Sequence, residues 1–167
     1  LQKDNPESML VVIFDASGKT FREEIFPSYK ANRPPMPEDL RQQIEPIHSI
    51  IKAMGLPLIS VEGVEADDVI GTYAREASDC FRSVLISTGD KDITQLVNKY
   101  VSLVNTMTGQ FLNSQGVEEK FGVPPQNITD YFGLLGDKIP GVAGIDEKSA
   151  ISLIKEFGDL DAIYSRM

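Results

Sequence analysis

Short apolar runs alternate with longer amphipathic segments over the first two thirds of the chain. Three of the apolar runs have the length of buried strands: 10–14, 56–61 and 84–87. Apolar residues at helical spacing predict helices over 38–54 and 66–77, and a third helix that begins at 93–97. Residues 101–105 and 110–112 predict a β-hairpin. Strands that alternate with helices are typical of an α/β fold with a parallel sheet.

The pattern changes after Phe121. Two prolines precede a predicted helix near 126–135, and a glycine-rich turn over 141–145 leads to a second helix over 147–157. Two helices joined in this way present backbone N–H groups suited to a phosphate, although an ordinary helical hairpin would have the same pattern. We therefore predict an α/β domain over residues 1–120 and a helical subdomain over 121–167.

A proline-rich segment interrupts the first domain between the predicted elements. Residues 18–22 predict a turn into a basic, irregular stretch, and NRPPMP at 32–37 cannot form a regular helix because proline fixes φ and lacks an N–H donor. Cations are frequent from this segment to the end of the next predicted helix. Between positions 19 and 52 they are Lys19, Arg22, Lys30, Arg33, Arg41 and Lys52.

Composition limits the classes of protein that fit. With 167 residues and 41% hydrophobic content, the chain is long enough for one domain core and a small appendage. Its single cysteine, Cys80, excludes an internal disulfide and a cysteine zinc site, so we expect a reducing compartment, the cytoplasm. No apolar run approaches the roughly 18 residues that cross a bilayer, and LQKDNPES lacks signal-peptide features, so we expect no membrane partner.

The acidic side chains cluster after the predicted strands. In an open α/β sheet the ligand site lies beyond the carboxyl ends of the strands, and three of the four acidic segments follow such ends, the exception being the segment with Asp137. Their mutual repulsion would be relieved by hard divalent cations, which prefer oxygen ligands and bridge carboxylates to phosphates. Capping of the helix that starts at Ala66 is the simpler alternative for the GVEADD cluster. The acids are Asp15, Glu65, Asp67, Asp68, Asp90, Asp92 and Asp137.

The net charge of −9 argues at first against a nucleic-acid partner. However, the acids are concentrated at 62–68 and the cations at 19–52, and bound divalent ions would add positive charge where the acids lie. A phosphodiester substrate is therefore compatible with the charge. Other chemistry is poorly represented, because the single histidine, His48, lies on an apolar helix pattern and is expected to be structural.

Six motifs in order resemble the 5′ nuclease domain of bacterial DNA polymerase I and the related stand-alone flap endonucleases. The motifs are FDASGKTFR, YKANRPPMPEDL, GVEADDVIGT, LISTGDKDITQLV, FGVPP and IPGVAGIDEKSA. Each motif alone is weakly specific, but their order and spacing cover nearly the whole chain. The resemblance implies a parallel-sheet, PIN-like nuclease core with an arch at about 23–40, and a C-terminal helix-hairpin-helix subdomain that binds duplex DNA.

The resemblance also implies an activity. Members hydrolyse DNA phosphodiesters near the 5′ end of a flapped, nicked or 5′-ended duplex in replication and repair, with two Mg²⁺ or Mn²⁺ ions. We accordingly expect a structure-specific 5′ to 3′ exonuclease or flap endonuclease that acts on DNA as a monomer. A fused polymerase domain in the full-length protein and a K⁺ ion at the hairpin also belong to this expectation.

Residue roles follow from the same resemblance. The seven acids named above are similar to the family's metal-binding set, with Asp67 and Asp90 also assigned to catalysis together with Lys30. An arch aromatic can stack on an unpaired base while arch cations contact phosphate. The expected DNA-binding residues are Tyr29, Lys30, Arg33, Gly141, Gly144 and Lys148.

Three departures from the family pattern qualify these roles. The family has a further strand with a metal-site aspartate before the segment that starts at Leu1, so we expect residues to precede it in the full-length protein. LLGDKIPG keeps Asp137 but lacks the family's second aspartate near Lys138. Either this loop is short, which would weaken one metal site, or residues of the loop are missing from the sequence. Asp146 replaces the usual hairpin glycine, and its charge would repel a DNA phosphate.

Two other functions share part of this sequence pattern. A DNA-structure-binding module would keep the fold with an incomplete metal site. A phosphatase of the haloacid-dehalogenase type would share an aspartate after the first strand, but it needs a second acid two residues later, where this chain has Ser17.

Overall fold

The computed structural model describes residues 5–136 and 139–166. The chain divides into two compact units, Leu1–Ile70 and Gly71–Met167, with the boundary inside one helix. Each unit is defined by the contacts among its own residues. The domain boundary near residue 120 stays a prediction.

The first unit contains a short parallel strand pair and two helices. Strand β1 (Val12–Ile13) lies parallel to β2 (Leu58–Ile59), with Val12 opposite Leu58. Helix α1 (Phe21–Ile25) follows the turn after β1, and α2 (Glu38–Ala53) begins directly after Pro37. Helix α3 (Ala66–Asp79) starts seven positions after the end of β2. The first turn of α3 therefore carries two of the predicted acids.

The second unit contains a three-stranded sheet and a helical region. Strand β3 (Val84–Ser87) is parallel to β4 (Val101–Asn105), and β5 (Gln110–Leu112) is antiparallel to β4. A 3₁₀ segment, Asp92–Leu96, follows β3. The remaining elements are α4 (Ser114–Phe121), a 3₁₀ turn (Pro125–Asn127), α5 (Ile128–Leu135), α6 (Glu147–Phe157) and α7 (Leu160–Tyr164).

Buried apolar side chains are concentrated in the second unit. Among the described residues every buried hydrophobic side chain except Val69 belongs to Gly71–Met167. Val117, Val123 and Ala150 are fully buried there, on elements that follow the sheet. In contrast, α2 has no buried residue. Within residues 5–136 and 139–166 no helix is both long and apolar enough to cross a membrane.

The predicted elements are confirmed except in a few places. The strands expected at 10–14 and 56–61 extend over only two residues each. The helix expected from 93–97 is a 3₁₀ segment, in which the Thr94 hydroxyl donates to the Lys91 carbonyl and competes with helical bonding. The turn expected at 18–22 passes into α1, and α4 and α7 were not predicted.

Candidate active site

The first turn of α3 brings together three of the predicted acids. Asp15, just after β1, accepts a hydrogen bond at Oδ1 from the Ala66 N–H at 2.7 Å. Asp68 accepts at Oδ2 from the Glu65 N–H at 2.9 Å. Both carboxylates therefore cap backbone donors at the positive end of α3. The capping alternative given for the GVEADD cluster describes the Asp68 contact, and Asp15 adds a second cap from outside that cluster.

Glu65 is well enclosed, with a side chain that is 12% exposed, against 28% for Asp68. Its Oε1 lies 2.5 Å from Nζ of Lys30, and its Oε2 accepts from the Tyr29 hydroxyl at 3.2 Å. The Lys30 ammonium also lies 5.0 Å from the centre of the Tyr29 ring. Two predicted arch residues are thus held against a predicted metal-binding acid.

Lys30 is held there by an unusual backbone conformation. Its φ is +55°, in the left-handed region that costs energy for a residue with a Cβ. The Tyr29 N–H donates to Phe26, and the Arg33 N–H donates to the Lys30 carbonyl at 3.0 Å. A tight turn therefore directs Lys30 to Glu65. Arg33 belongs to the same turn and is exposed.

Arg22 on α1 makes a contact that was not predicted. Its Nη1 and Nη2 lie 2.5 and 2.7 Å from Oδ2 and Oδ1 of Asp68, which is a bidentate pair. The hydrogen bond from Arg22 is the main reason why the pKa of Asp68 lies below its usual value. Nη1 of Arg22 is also 3.8 Å from Oε2 of Glu65. Two sequence signals pointed to this residue without assigning it a partner: its place in the FDASGKTFR motif and its place among the cations of 19–52.

Asp67 is half-buried and lies in the first turn of α3. Its role in metal binding and catalysis stays a prediction.

Asp90 and Asp92 shape a turn in the second unit. The Asp90 N–H donates to the Thr88 hydroxyl at 3.0 Å, and Oδ1 of Asp90 accepts from the Asp92 N–H at 2.9 Å. Asp90 is exposed, and the turn borders a small pocket of about 50 Å³ that also includes Asn105 and Lys120. The carboxyl end of β3 therefore presents an ordered acidic turn, as the strand pattern predicted.

The chemistry of the acidic side chains suits a divalent metal ion. Their donors are carboxylate oxygens, the type that Mg²⁺ and Mn²⁺ prefer. Across residues 5–136 and 139–166, no group of three acidic, histidine or cysteine side chains is arranged to hold an ion. In the first unit the reason is visible, because Glu65 and Asp68 face Lys30 and Arg22. The carboxylate oxygens thus suit the metal, but those of Asp68 and Glu65 are paired with protein cations in this structure.

The predicted DNA-binding hairpin lies between α5 and α6. Gly141 packs so tightly against Gly136 that a Cβ on either would overlap the other's backbone, and Gly144 has a φ of +83°. Asp146 is the N-cap of α6 and accepts from the Ser149 N–H at 2.8 Å. Lys148 is exposed in the first turn of α6. Asp137 and Lys138 lie outside the described residues.

His48 has a packing contact in the first unit. Its ring meets Phe14 edge to face, with centroids 4.4 Å apart. This contact supports the structural role expected for the histidine.

Two family models together match the whole chain. The 5′-3′ exonuclease N-terminal resolvase-like domain matches residues 1–122, and the 5′-3′ exonuclease C-terminal SAM fold matches residues 123–167. These matches define the class, a resolvase-like α/β domain followed by a helical SAM-type domain, and they confirm the predicted fold class. The chain belongs to the 5′-3′ exonuclease family.

Curated relatives support this membership. The chain is 55% identical over 171 residues to DNA polymerase I of Pseudomonas aeruginosa. This alignment covers all of the chain and 19% of the polymerase. The chain is 47% identical over 165 residues to a 5′-3′ exonuclease of Buchnera aphidicola, which covers 97% of the chain and 55% of the relative. The chain thus spans between about a fifth and just over half of these two relatives.

Solved structures show the same fold. The T5 5′-exonuclease with bound divalent zinc ions aligns with a TM-score of 0.82 at 24% identity, covering 99% of this chain and 66% of that one. The catalytic core of Rad2 in complex with a DNA substrate aligns with a TM-score of 0.56 at 19% identity, covering 90% and 48%. At these identities the likeness concerns the fold.

Proposed function

We propose that this chain is the nuclease part of a structure-specific 5′ to 3′ exonuclease or flap endonuclease that hydrolyses DNA phosphodiesters in replication and repair. Family membership supports the reaction class. The T5 and Rad2 structures contain divalent ions and DNA respectively, which supports a metal-dependent reaction on DNA for this chain. We propose that it acts as a monomer, with DNA as its macromolecular substrate.

One observation supports the proposal most directly: two proposed DNA-binding residues contact a proposed metal-binding acid at the start of α3. Lys30 and Tyr29 both contact Glu65, and Glu65 is bonded through its N–H to Asp68. A cation and an aromatic hydroxyl held against acids are poised to contact a phosphodiester placed at those acids. An ordinary capped helix has no need of a lysine in a left-handed conformation beside it.

The chain's own residues have separable roles in this reaction. Lys30 would place its ammonium against the scissile phosphate and stabilise the charge that develops there. Tyr29 offers a ring for stacking on an unpaired base, and Arg33 in the same turn offers a charge for the backbone. Lys148 and the hairpin glycines would contact the duplex.

Two Mg²⁺ or Mn²⁺ ions are proposed at the acidic set, and when bound they would supply an activated water and charge stabilisation for the leaving oxygen. Asp15, Glu65 and Asp68 would hold them on the first unit, together with Asp67. Asp90 and Asp92 are proposed as further ligands, as is Asp137. We also propose K⁺ at the hairpin that contains Gly141 and Gly144.

The test is Mg²⁺-dependent cleavage of a 5′-flap DNA by the full-length protein. Asp67→Asn and Asp90→Asn should each abolish or greatly reduce cleavage while leaving the fold intact. Asp79→Asn is the matched control, because this exposed acid lies at the opposite end of α3. Full cleavage by both site variants would refute the assignment of these acids.

Binding without cleavage is the outcome that would favour the alternative, a DNA-structure-binding module. Arg22 pairs with Asp68, and Lys30 pairs with Glu65. In a binding module these two acids would serve only as ion-pair partners and would hold no metal. If the affinity for flap DNA is the same with and without Mg²⁺ and no cleavage is detected, the chain is the binding module.

A further inference from the structure

Arg22 occupies both oxygens of an acid that the proposed function assigns to metal binding. Its two terminal nitrogens bond Oδ1 and Oδ2 of Asp68, and the Glu65 N–H also bonds Oδ2. Lys30 and Tyr29 occupy the two oxygens of Glu65 in the same way. The oxygens that a divalent ion would use are therefore already bonded to donors of the protein.

The acids of this turn need a counter-charge at all times. Several carboxylates lie within four positions of one another, and the dipole of α3 offsets only part of their repulsion. The Arg22 guanidinium supplies one full positive charge at the acid cluster. It matches a carboxylate with a fixed two-pronged geometry, whereas a lysine would make a single contact.

The exposure of the pair indicates that it is exchangeable. The side chains of Arg22 and Asp68 are 30% and 28% exposed, so solvent screens their attraction. A divalent ion carries twice the charge and can bridge several carboxylates. The stronger cation should therefore displace the guanidinium without the cost of breaking a buried ion pair.

We propose that Arg22 is an exchangeable counter-ion of the acidic site, so that its guanidinium and a divalent ion are alternative partners of Asp68. The proposal rests on the metal site of the proposed function. Without metal, Arg22 holds Asp68 and neutralises it. When the ion binds, Arg22 leaves Asp68, and its positive charge becomes available to a DNA phosphate. Arg22 is a positioning residue in this scheme.

Mn²⁺ binding to the full-length protein tests the exchange, with free Mn²⁺ measured by electron paramagnetic resonance. The Mn²⁺ site in question is identified as the one whose binding is lost in Asp68→Asn. We expect Arg22→Gln to bind Mn²⁺ at that site roughly two- to fivefold more tightly than wild type, the range set by a partly exposed ion pair. Arg41→Gln is the matched control, because it removes the same charge from an exposed arginine. The ion pair of Arg41 is a long one, at 3.8 Å from Nε to Oε2 of Glu38. Arg41→Gln should bind Mn²⁺ as wild type does.

A second measurement separates exchange from a structural role. Without metal, Arg22→Gln should have a lower thermal midpoint than wild type, and saturating Mn²⁺ should raise that midpoint more than it raises the midpoint of wild type. If Arg22→Gln does not fold, Arg22→Lys replaces it, and its single contact with Asp68 should give a smaller change in the same direction.

The outcomes distinguish this inference from the proposed function. Unchanged or weaker Mn²⁺ binding by Arg22→Gln, with normal binding by wild type, would overturn the exchange and leave the metal site standing. Absence of any Mn²⁺ binding that depends on Asp68 would overturn both. Tighter binding by Arg41→Gln as well would show a general charge effect and overturn the specific role of Arg22.

Discussion

Oδ1 of Asp15 accepts a hydrogen bond from the backbone N–H of Ala66 at 2.7 Å, and this bond joins the end of β1 to the start of α3. The two residues are 51 positions apart in the chain. The carboxylate thus has a structural partner before any metal binds. Its structural and proposed catalytic functions should be separable by substitution.

Asp15→Asn should keep the fold and lose cleavage. The asparagine oxygen can still accept from Ala66, but the negative charge that a divalent ion requires is gone. Asp15→Ala removes the hydrogen bond as well and should cost about 1 kcal/mol of stability. Urea unfolding together with flap cleavage measures both quantities. Equal cleavage by Asp15→Asn and wild type would remove Asp15 from the metal set.

Lys30→Ala should slow cleavage far more than it weakens DNA binding. If its ammonium stabilises charge in the transition state, we expect a loss of roughly 100-fold in single-turnover rate. Lys52→Ala, an exposed lysine in the last turn of α2, is the control and should leave the rate unchanged. Equal losses in rate and in affinity for flap DNA would mean that Lys30 only binds.

Tyr29 carries a hydroxyl and a ring with different partners, and two variants distinguish them. Tyr29→Phe removes the bond to Glu65 and keeps the ring, so flap binding should stay close to wild type. Tyr29→Ala removes the ring, and loss of one stacked base should weaken binding by about 1–3 kcal/mol. Fluorescence anisotropy with a labelled flap measures both. Equal weakening in the two variants would argue against stacking.

The clusters of acids could be predicted because their position depends on local pattern. Asp15 lies just after β1, and Asp90 and Asp92 lie in the turn after β3, as the strand pattern predicted. β1 and β3 belong to separate sheets, so the meeting of these acids in one site stays a prediction. The order of helices and strands was likewise readable, since periodicity and glycine positions are local signals.

The contacts between distant residues could not be predicted. Arg22 and Asp68 are 46 positions apart, and their pairing depends on the path of α1 and the turn that follows β1. The left-handed backbone of Lys30 has no sequence signal either, because glycine is the residue that favours this conformation. Short elements such as α1 and α7 have only five residues each, which is too few for a periodic pattern.

Asp146→Asn should tighten the binding of duplex DNA. Asparagine keeps the N-cap of α6 and removes the negative charge that would repel a phosphate at the proposed DNA-binding hairpin. Asp159→Asn is the matched control, because Asp159 caps α7 through the Ala162 N–H at 2.7 Å. Anisotropy titrations at several salt concentrations compare the variants. A gain in affinity of the same size in Asp159→Asn would point to net charge alone.

Asp146 should also give the protein a pH dependence of stability. Its hydrogen bonds with Ser149 lower its pKa below the usual 3.8 in the folded state. A carboxyl with a depressed pKa contributes stability above about pH 4, and this contribution is lost as the pH falls through the folded-state pKa. Asp146→Asn should remove that part of the acid sensitivity in thermal unfolding at pH 2–7. An unchanged pH profile would contradict the assignment.

Gly141→Ala should destabilise the second unit much more than Gly144→Ala. A Cβ on Gly141 would lie 2.5 Å from the Leu134 carbonyl oxygen and would overlap the backbone of Gly136 and Leu135, none of which can rotate away. We expect a loss of roughly 3 kcal/mol or more. A Cβ on Gly144 meets nothing within 4 Å, so only its φ of +83° opposes alanine, at about 1 kcal/mol. Urea unfolding of both variants gives the comparison, and equal losses would show that the close approach of Gly141 to Gly136 contributes little to stability.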